Sequence, residues 1–133
     1  MFSPSVISKI GTDDKRLKSL PSKQRESLFQ ARDILVLFFK ATQAKDKNIS
    51  KFLGQNVLSR FPNRTVLLEK LLMYESDIDI LSITKFDFED ENLILFNYYL
   101  VLFFNGNFQI QEDSVKIKKF GDFWKIISIS SLD

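Results

Sequence analysis

Residues 92–104 are the stretch that most constrains what this chain can fold into. Their sequence is NLILFNYYLVLFF, in which eleven of thirteen residues are apolar or aromatic. Such residues, followed at once by Asn105-Gly106, predict a long strand that ends in a two-residue hairpin turn. Neighbouring side chains of a strand point to opposite sides, and both sets are apolar here. Both faces of this strand therefore need a cover.

Composition narrows the classes of protein that this chain can belong to. Its 133 residues suffice for one domain with a core, and 44% of them are hydrophobic, including 14 Phe. The net charge of +2 gives no indication of a nucleic-acid partner. The chain has no Cys and no His, which excludes disulfides, thiolate nucleophiles and imidazole bases. We therefore predict neither a metal site nor a cofactor.

The N-terminal segment contains Pro4, Gly11 and a polar GTDDKR stretch, which is typical of an arm. We predict an N-terminal arm over residues 1–20 and a single domain over residues 21–133. No apolar run reaches the roughly eighteen residues of a membrane span, and no secretory signal is visible. We expect a cytoplasmic protein with no membrane segment.

Periodicity predicts helices first and strands afterwards. Apolar residues recur at helical spacing over residues 22–44, for example at Leu28, Leu35 and Phe38, and this predicts an amphipathic helix. Two shorter helices are predicted over residues 49–56 and 64–74. Four strands follow, at residues 78–88, 92–104, 107–119 and 123–131. The short turns between them predict an antiparallel meander.

A change of alternation in the third strand suggests an extra residue. Its apolar positions shift from even numbers (Phe108, Ile110) to odd numbers (Val115, Ile117) across residues 111–114. Strict alternation does not allow such a shift, so we predict a β-bulge there. With this bulge, one face of the sheet carries Asn97, Tyr99, Trp124, Ile126 and Ser128. We expect that face to be concave and covered by the helix of residues 22–44.

The opposite face of the second strand would then be exposed. It carries Ile94, Phe96, Tyr98, Leu100, Leu102 and Phe104, together with Ile127 and Ile129 of the fourth strand. Monomers rarely expose so large an apolar surface. We predict a homodimer through this outer sheet face; the alternative is that residues 1–20 fold over it.

The order of these elements and the terminal GDFWKII pattern resemble the nuclear transport factor 2-like superfamily, the cone-shaped α+β fold shared with ketosteroid isomerase and SnoaL-type proteins. The resemblance implies N-terminal helices packed on a strongly curved antiparallel four-stranded sheet (a cystatin-like or cone fold). It also implies a pocket between helix and sheet, and dimers formed through the outer sheet face. Dehydratases and several cyclases of this fold use pocket histidines paired with aspartate, and this chain has no histidine. No acidic residue matches a family motif either, so no catalytic residue is predicted.

Five residues are candidates for ligand binding: Asn97, Tyr99, Trp124, Ser128 and Tyr74. A buried Asn97 would cost about 1–3 kcal/mol without a hydrogen-bond partner. One candidate partner is a ligand or a water molecule in a cavity. The other is a backbone group that the bulge leaves without its pairing in the sheet.

Two functions stay open. The first is a non-catalytic binding module, with an apolar pocket for a small hydrophobic ligand or a sheet face for a protein partner. The alternative is an isomerase- or cyclase-like enzyme that uses a carboxylate and a Tyr without His. An inward-facing acid beside Tyr99 or Asn97 would favour the enzyme.

Overall fold

The computed structural model describes residues 5–6, 14–46, 48–63, 66–67, 70 and 77–130. In chain order the elements are β1 (Ser5–Val6), α1 (Asp14–Ser19), α2 (Ser22–Gln43), a 3₁₀ helix (Ile49–Phe52), α3 (Gln55–Leu58), β2 (Asp77–Asp90), β3 (Leu93–Phe104), β4 (Asn107–Phe120) and β5 (Phe123–Ile129).

The sheet is a simple meander with one short addition. Strands β1 to β5 lie in sequence order; β1 runs parallel to β2, and the other neighbours are antiparallel. The predicted α+β class is therefore confirmed at this level: helices pack against a four-stranded antiparallel sheet, which is not closed. The two-residue strand β1 extends this sheet at the β2 edge, within the segment predicted to be an arm.

The Asn105-Gly106 turn sets the register of the central hairpin. Both residues have positive φ angles, 51° and 80°, as a type I′ turn requires. From this turn the pairing of β3 with β4 runs without interruption, through Tyr99 opposite Glu112 and Asn97 opposite Ser114, to Leu93 opposite Lys118. The bulge predicted over residues 111–114 is therefore wrong.

The change of alternation in β4 has a different cause. Phe108 and Ile110 are 64% and 70% exposed, whereas Val115 and Ile117 are buried. The first pair lies on the outer face near the hairpin turn, and the second pair lies on the core face. The shift in apolar positions thus marks a change of face and needs no extra residue.

The core lies on the face of the sheet that was predicted to be exposed. Five side chains of β3 on this face are buried: Ile94, Phe96, Tyr98, Leu100 and Leu102. They belong to one cluster with Leu28, Leu35, Phe38 and Phe39 of α2. The Phe39 ring meets the Tyr98 ring edge-on, with centroids 5.6 Å apart. The face assigned to a homodimer is thus the core of the single chain, and that assignment is wrong.

Extra residues do occur in the sheet, but in β2, where the register against β3 shifts at residues 78–80, 83–85 and 88–90, and in β5. Ile117 pairs with Ile126 and the preceding Lys116 pairs with Ser128, so Ile127 has no opposite residue. The bulge lets Ile126 and Ile129 both reach the core and directs Ser128 to the outer face. The side-chain amide of Asn56 donates to the Ile127 carbonyl at 2.7 Å, so α3 satisfies the bulged backbone.

The predicted amphipathic helix is confirmed as α2, and its end is tied to the sheet because the Ile78 N–H donates to the Gln43 side chain at 2.9 Å. A 3₁₀ helix and α3 replace the single short helix predicted over residues 49–56. The helix predicted over residues 64–74 lies mostly outside the described residues.

Within the described part of the chain, no helix has the length and apolarity needed to cross a bilayer.

Candidate functional site

A cleft of about 580 Å³ opens where α2, the 3₁₀ helix and the β4–β5 turn meet. Clefts of this size are typical of sites for small ligands. Its apolar walls come from Ile34, Phe52, Phe123 and Trp124. Its polar lining consists of Gln30, Asp33, Lys51, Asp122 and Lys125.

The β4–β5 turn places two aromatic side chains at the cleft. Gly121 has a positive φ of 61°, which a residue with a Cβ adopts only under strain, and Phe120 pairs with Phe123 across the turn. Strand alternation then directs the next two side chains to opposite sides. Phe123 points outward and is 71% exposed, whereas Trp124 faces the core and is 5% exposed.

A hydrogen bond fixes the indole of Trp124 in the cleft wall. The indole N–H donates to the Gln30 side-chain oxygen at 3.0 Å. Gln30, Asp33 and Ile34 have i, i+3, i+4 spacing on α2, so all three lie on the side of the helix that borders the cleft. The helix thus contributes one apolar contact and two polar groups, and it holds the aromatic wall in place.

Charges of both signs occur at the cleft in equal number. Asp33 and Asp122 are balanced by Lys51 and Lys125. Asp33 also accepts a hydrogen bond from Arg32 at 3.1 Å, and its side chain is 61% exposed. The Lys51 ammonium group lies 5.1 Å from the centre of the Phe52 ring. Because both carboxylates belong to exposed residues, the cleft offers apolar contact with a charged border.

The structure separates the residues that the sequence grouped together. Trp124 lines the cleft on the core side. Asn97, Tyr99 and Ser128 lie on the outer face of the sheet, opposite Ser114, Glu112 and Lys116 respectively. Tyr74 lies outside the described residues. The grouping depended on the predicted bulge in β4 and is wrong without it.

Asn97 does not occupy the environment that made it a candidate. It is half-buried on the outer face, in a polar depression of about 270 Å³ that Thr84, Tyr99 and Glu112 also line. The Thr84 hydroxyl donates to the Asn97 backbone carbonyl at 3.2 Å. Because this position is not in the core, its side chain does not need a buried ligand as a partner, and the bulge beside it lies at Thr84 of β2.

A pair formed by a buried tyrosine and a half-buried carboxylate, at the same depression as Asn97, was not found by the sequence analysis. The Tyr98 hydroxyl donates to Asp113 Oδ2 at 3.0 Å, and the backbone N–H of Ser114 donates to Asp113 Oδ1 at 2.8 Å. Tyr98 is 2% exposed. The signal was present in the sequence, because a two-residue turn at residues 105–106 pairs residue 98 with residue 113 when no bulge intervenes.

Other cleft residues could not be grouped from sequence alone. Ile34, Phe52 and Phe123 come from three separate elements, and no local sequence pattern links them. The described part of the chain holds no cluster of three or more Asp, Glu, His or Cys residues suited to a metal ion.

Comparison of the sequence with known protein families gave no match, and comparison with the curated proteins gave none. Among solved structures, the chain is similar to the solution structure of a SEC-C motif containing protein from Rhodopseudomonas palustris. The TM-score is 0.67 at 15% sequence identity, over 99% of this chain and 100% of the other. At this level of identity the similarity shows the fold alone.

Proposed function

We propose that this chain is a non-catalytic binding module that holds a small apolar ligand in the cleft beside Trp124. The observation that carries the proposal is the cleft itself: four apolar side chains line about 580 Å³ at the surface, with charged groups of both signs around them. A ligand that buries about 200 Å² of apolar surface there would gain roughly 5 kcal/mol before the costs of association. That gain is suited to reversible binding.

The experiment uses the single tryptophan of the chain as a reporter. Protein purified from its own host is examined by native mass spectrometry for a retained ligand, and Trp fluorescence is followed during titration with 4-methyl-1-pentanol. Phe123→Ser removes a cleft wall and should weaken binding about tenfold or more. Phe108→Ser is the matched control, because Phe108 is a similarly exposed strand residue away from the cleft. Equal affinity in both variants would contradict the proposal.

We also propose that the fold belongs to the nuclear transport factor 2-like superfamily, with its cone-shaped, strongly curved sheet. Three features support this: a long helix packed on one face of an antiparallel meander, a bulge in β5, and a cleft between α2 and the sheet. Superposition on experimentally determined members of the superfamily tests it, because the helix and all four long strands should align in the same order.

An isomerase- or cyclase-like enzyme is the second candidate, favoured by the hydrogen bond between Tyr98 and Asp113. A tyrosine and a carboxyl group are the pair that such chemistry requires without His. The test is conversion of a β,γ-unsaturated ketone to its conjugated isomer, followed by absorbance. Turnover that is lost in Tyr98→Phe and retained in Tyr99→Phe would establish this candidate; absence of turnover in the unmodified protein would remove it.

Association with a second copy remains a proposal, now on the other face of the sheet. An outer apolar patch lies beside the Asn105-Gly106 turn and consists of Val101, Phe103, Phe108 and Ile110. The ring centres of Phe103 and Phe108 are 5.0 Å apart. We propose that this outer apolar patch is the dimer contact. Light scattering at low micromolar concentration should give a dimer mass, and Phe108→Ser with Ile110→Ser should give a monomer mass. A monomeric unmodified protein would contradict this.

A further inference from the structure

At the outer edge of β5, the Ile126 backbone forms a hydrogen bond with the segment before α3, whereas no described segment bonds to the Trp124 backbone. The Gly54 N–H donates to the Ile126 carbonyl at 2.7 Å, so the polar backbone groups of Ile126 point away from β4. Backbone groups two residues apart in a strand point in the same direction. The N–H and C=O of Trp124 therefore point away from β4 as well.

No described segment continues along this edge beside Trp124. Leu53 forms a parallel bridge with Ile126, but Lys51 and Phe52 belong to the 3₁₀ helix and do not extend the ladder. The cleft lies in the space between that helix and the start of β5. Among the described residues, the N–H and C=O of Trp124 thus have no backbone partner where they border the apolar cleft, and this is the arrangement that an added strand uses in peptide recognition.

From this geometry we infer that the cleft binds a short extended peptide segment, which pairs its backbone with Trp124 and places apolar side chains against Ile34, Phe52 and Phe123. The inference rests on the proposed function and names the chemical class of the ligand. A single peptide residue supplies the one N–H and one C=O that the Trp124 backbone requires. Its side chain, at right angles to the backbone ladder, lies on the same side as that of Trp124, toward Ile34 and Phe52.

The charges around the cleft agree with a peptide. Asp33 and Asp122 are offset by Lys51 and Lys125, so the side chains that line the cleft carry no net charge, which suits a neutral polyamide backbone. An apolar ligand with an anionic head, such as a fatty acid, would meet two carboxylates as well as two ammonium groups. A neutral chain with paired donors and acceptors fits this border better.

The test compares two peptides that differ in one hydrogen-bond donor. Isotope-labelled protein is titrated with acetyl-Ala-Leu-Ala-amide and with its analogue methylated on the leucine nitrogen, while the NMR signals of the Trp124 backbone N–H and indole N–H are followed. The unmodified peptide should shift both signals and slow hydrogen exchange at the Trp124 backbone. The methylated peptide should bind about threefold to tenfold more weakly, because one backbone hydrogen bond is lost. Phe123→Ser should weaken both peptides, and Phe108→Ser should weaken neither.

Failure of this inference is distinguishable from failure of the proposed function. Equal binding of the two peptides, or shifts confined to the indole, would overturn backbone pairing and leave an apolar site. Absence of any shift with either peptide would also overturn the inference. The titration with 4-methyl-1-pentanol then decides the proposed function by itself, since this alcohol fills an apolar cleft without an amide group.

Discussion

The two faces of β3 are almost equally apolar in sequence, but the structure buries only one of them. On the core face Ile94, Phe96 and Leu100 are fully buried under α2. On the outer face Leu93, Leu95 and Val101 are only half-buried. α2 carries one apolar stripe, so it can cover one side of the sheet.

The difference shows that the neighbours of a strand decide which of its faces is the core. The strands beside β3 direct Lys85, Lys116 and Lys118 to its outer face, opposite Asn97, Leu95 and Leu93. Those same strands direct Ile83, Phe86, Val115 and Ile117 to its inner face, where all four are buried. The apolar side chains of β3 therefore become core only where the adjacent strands are apolar too.

The largest expected effect separates the two faces directly. Phe96→Ala should lower the free energy of unfolding by about 3–5 kcal/mol, because it leaves a cavity in the core. Leu95→Ala, one residue away on the outer face, should cost less than about 1 kcal/mol. Chemical denaturation of both variants measures the difference. Similar costs would mean that the outer face is also covered in solution.

A smaller effect is expected at the tyrosine–carboxylate pair. Tyr98→Phe keeps the ring against Phe39 but removes the donor to Asp113, and should lower the free energy of unfolding by about 1–3 kcal/mol. Tyr99→Phe is the matched control on the outer face and should change it by no more than about 0.5 kcal/mol. Denaturation curves of the two variants that coincide would show that the hydrogen bond to Asp113 contributes nothing.

These contrasts show which parts of the fold could be predicted from the sequence. The helix α2, the four long strands and the turns at residues 105–106 and 121–122 were predicted because periodicity and turn chemistry are local signals. The identity of the core face was not predicted, because Phe108 and Ile110 were assumed to be buried. An exposed apolar pair and a bulge produce the same change of alternation in sequence.

The candidate site was predictable only in part, for a related reason. Trp124 was identified, because the predicted pairing of the last hairpin placed it on the face expected to lie under the helix. Its partners Gln30 and Phe52 come from elements more than seventy residues earlier in the chain, and no local pattern links them to residue 124. The bulge at Ile127, which directs Ser128 to the outer face, is hydrogen-bonded to Asn56 of α3, a residue 71 positions earlier in the chain.

A still smaller effect on stability is expected at the outer apolar patch. Phe108→Ser and Ile110→Ser remove side chains that are mostly in water, so each should change the free energy of unfolding by no more than about 0.5 kcal/mol at low protein concentration. Denaturation at two protein concentrations provides the check. A free energy of unfolding that rises with protein concentration in the unmodified protein, but not in the variants, would indicate that the patch is covered by a second copy.

The smallest expected effect is at Asn97, the residue from which the sequence argument for a site began. Asn97→Leu should change the free energy of unfolding by no more than about 0.5 kcal/mol, because the side chain is half-buried on the outer face and leucine suits a strand. It should also leave ligand binding at the cleft unchanged, since Asn97 lies on the opposite face of the sheet from Trp124. Denaturation and Trp fluorescence titration measure the two quantities on one sample. Weaker binding with unchanged stability would return Asn97 to the site and require a connection through the sheet, since the two side chains face opposite ways.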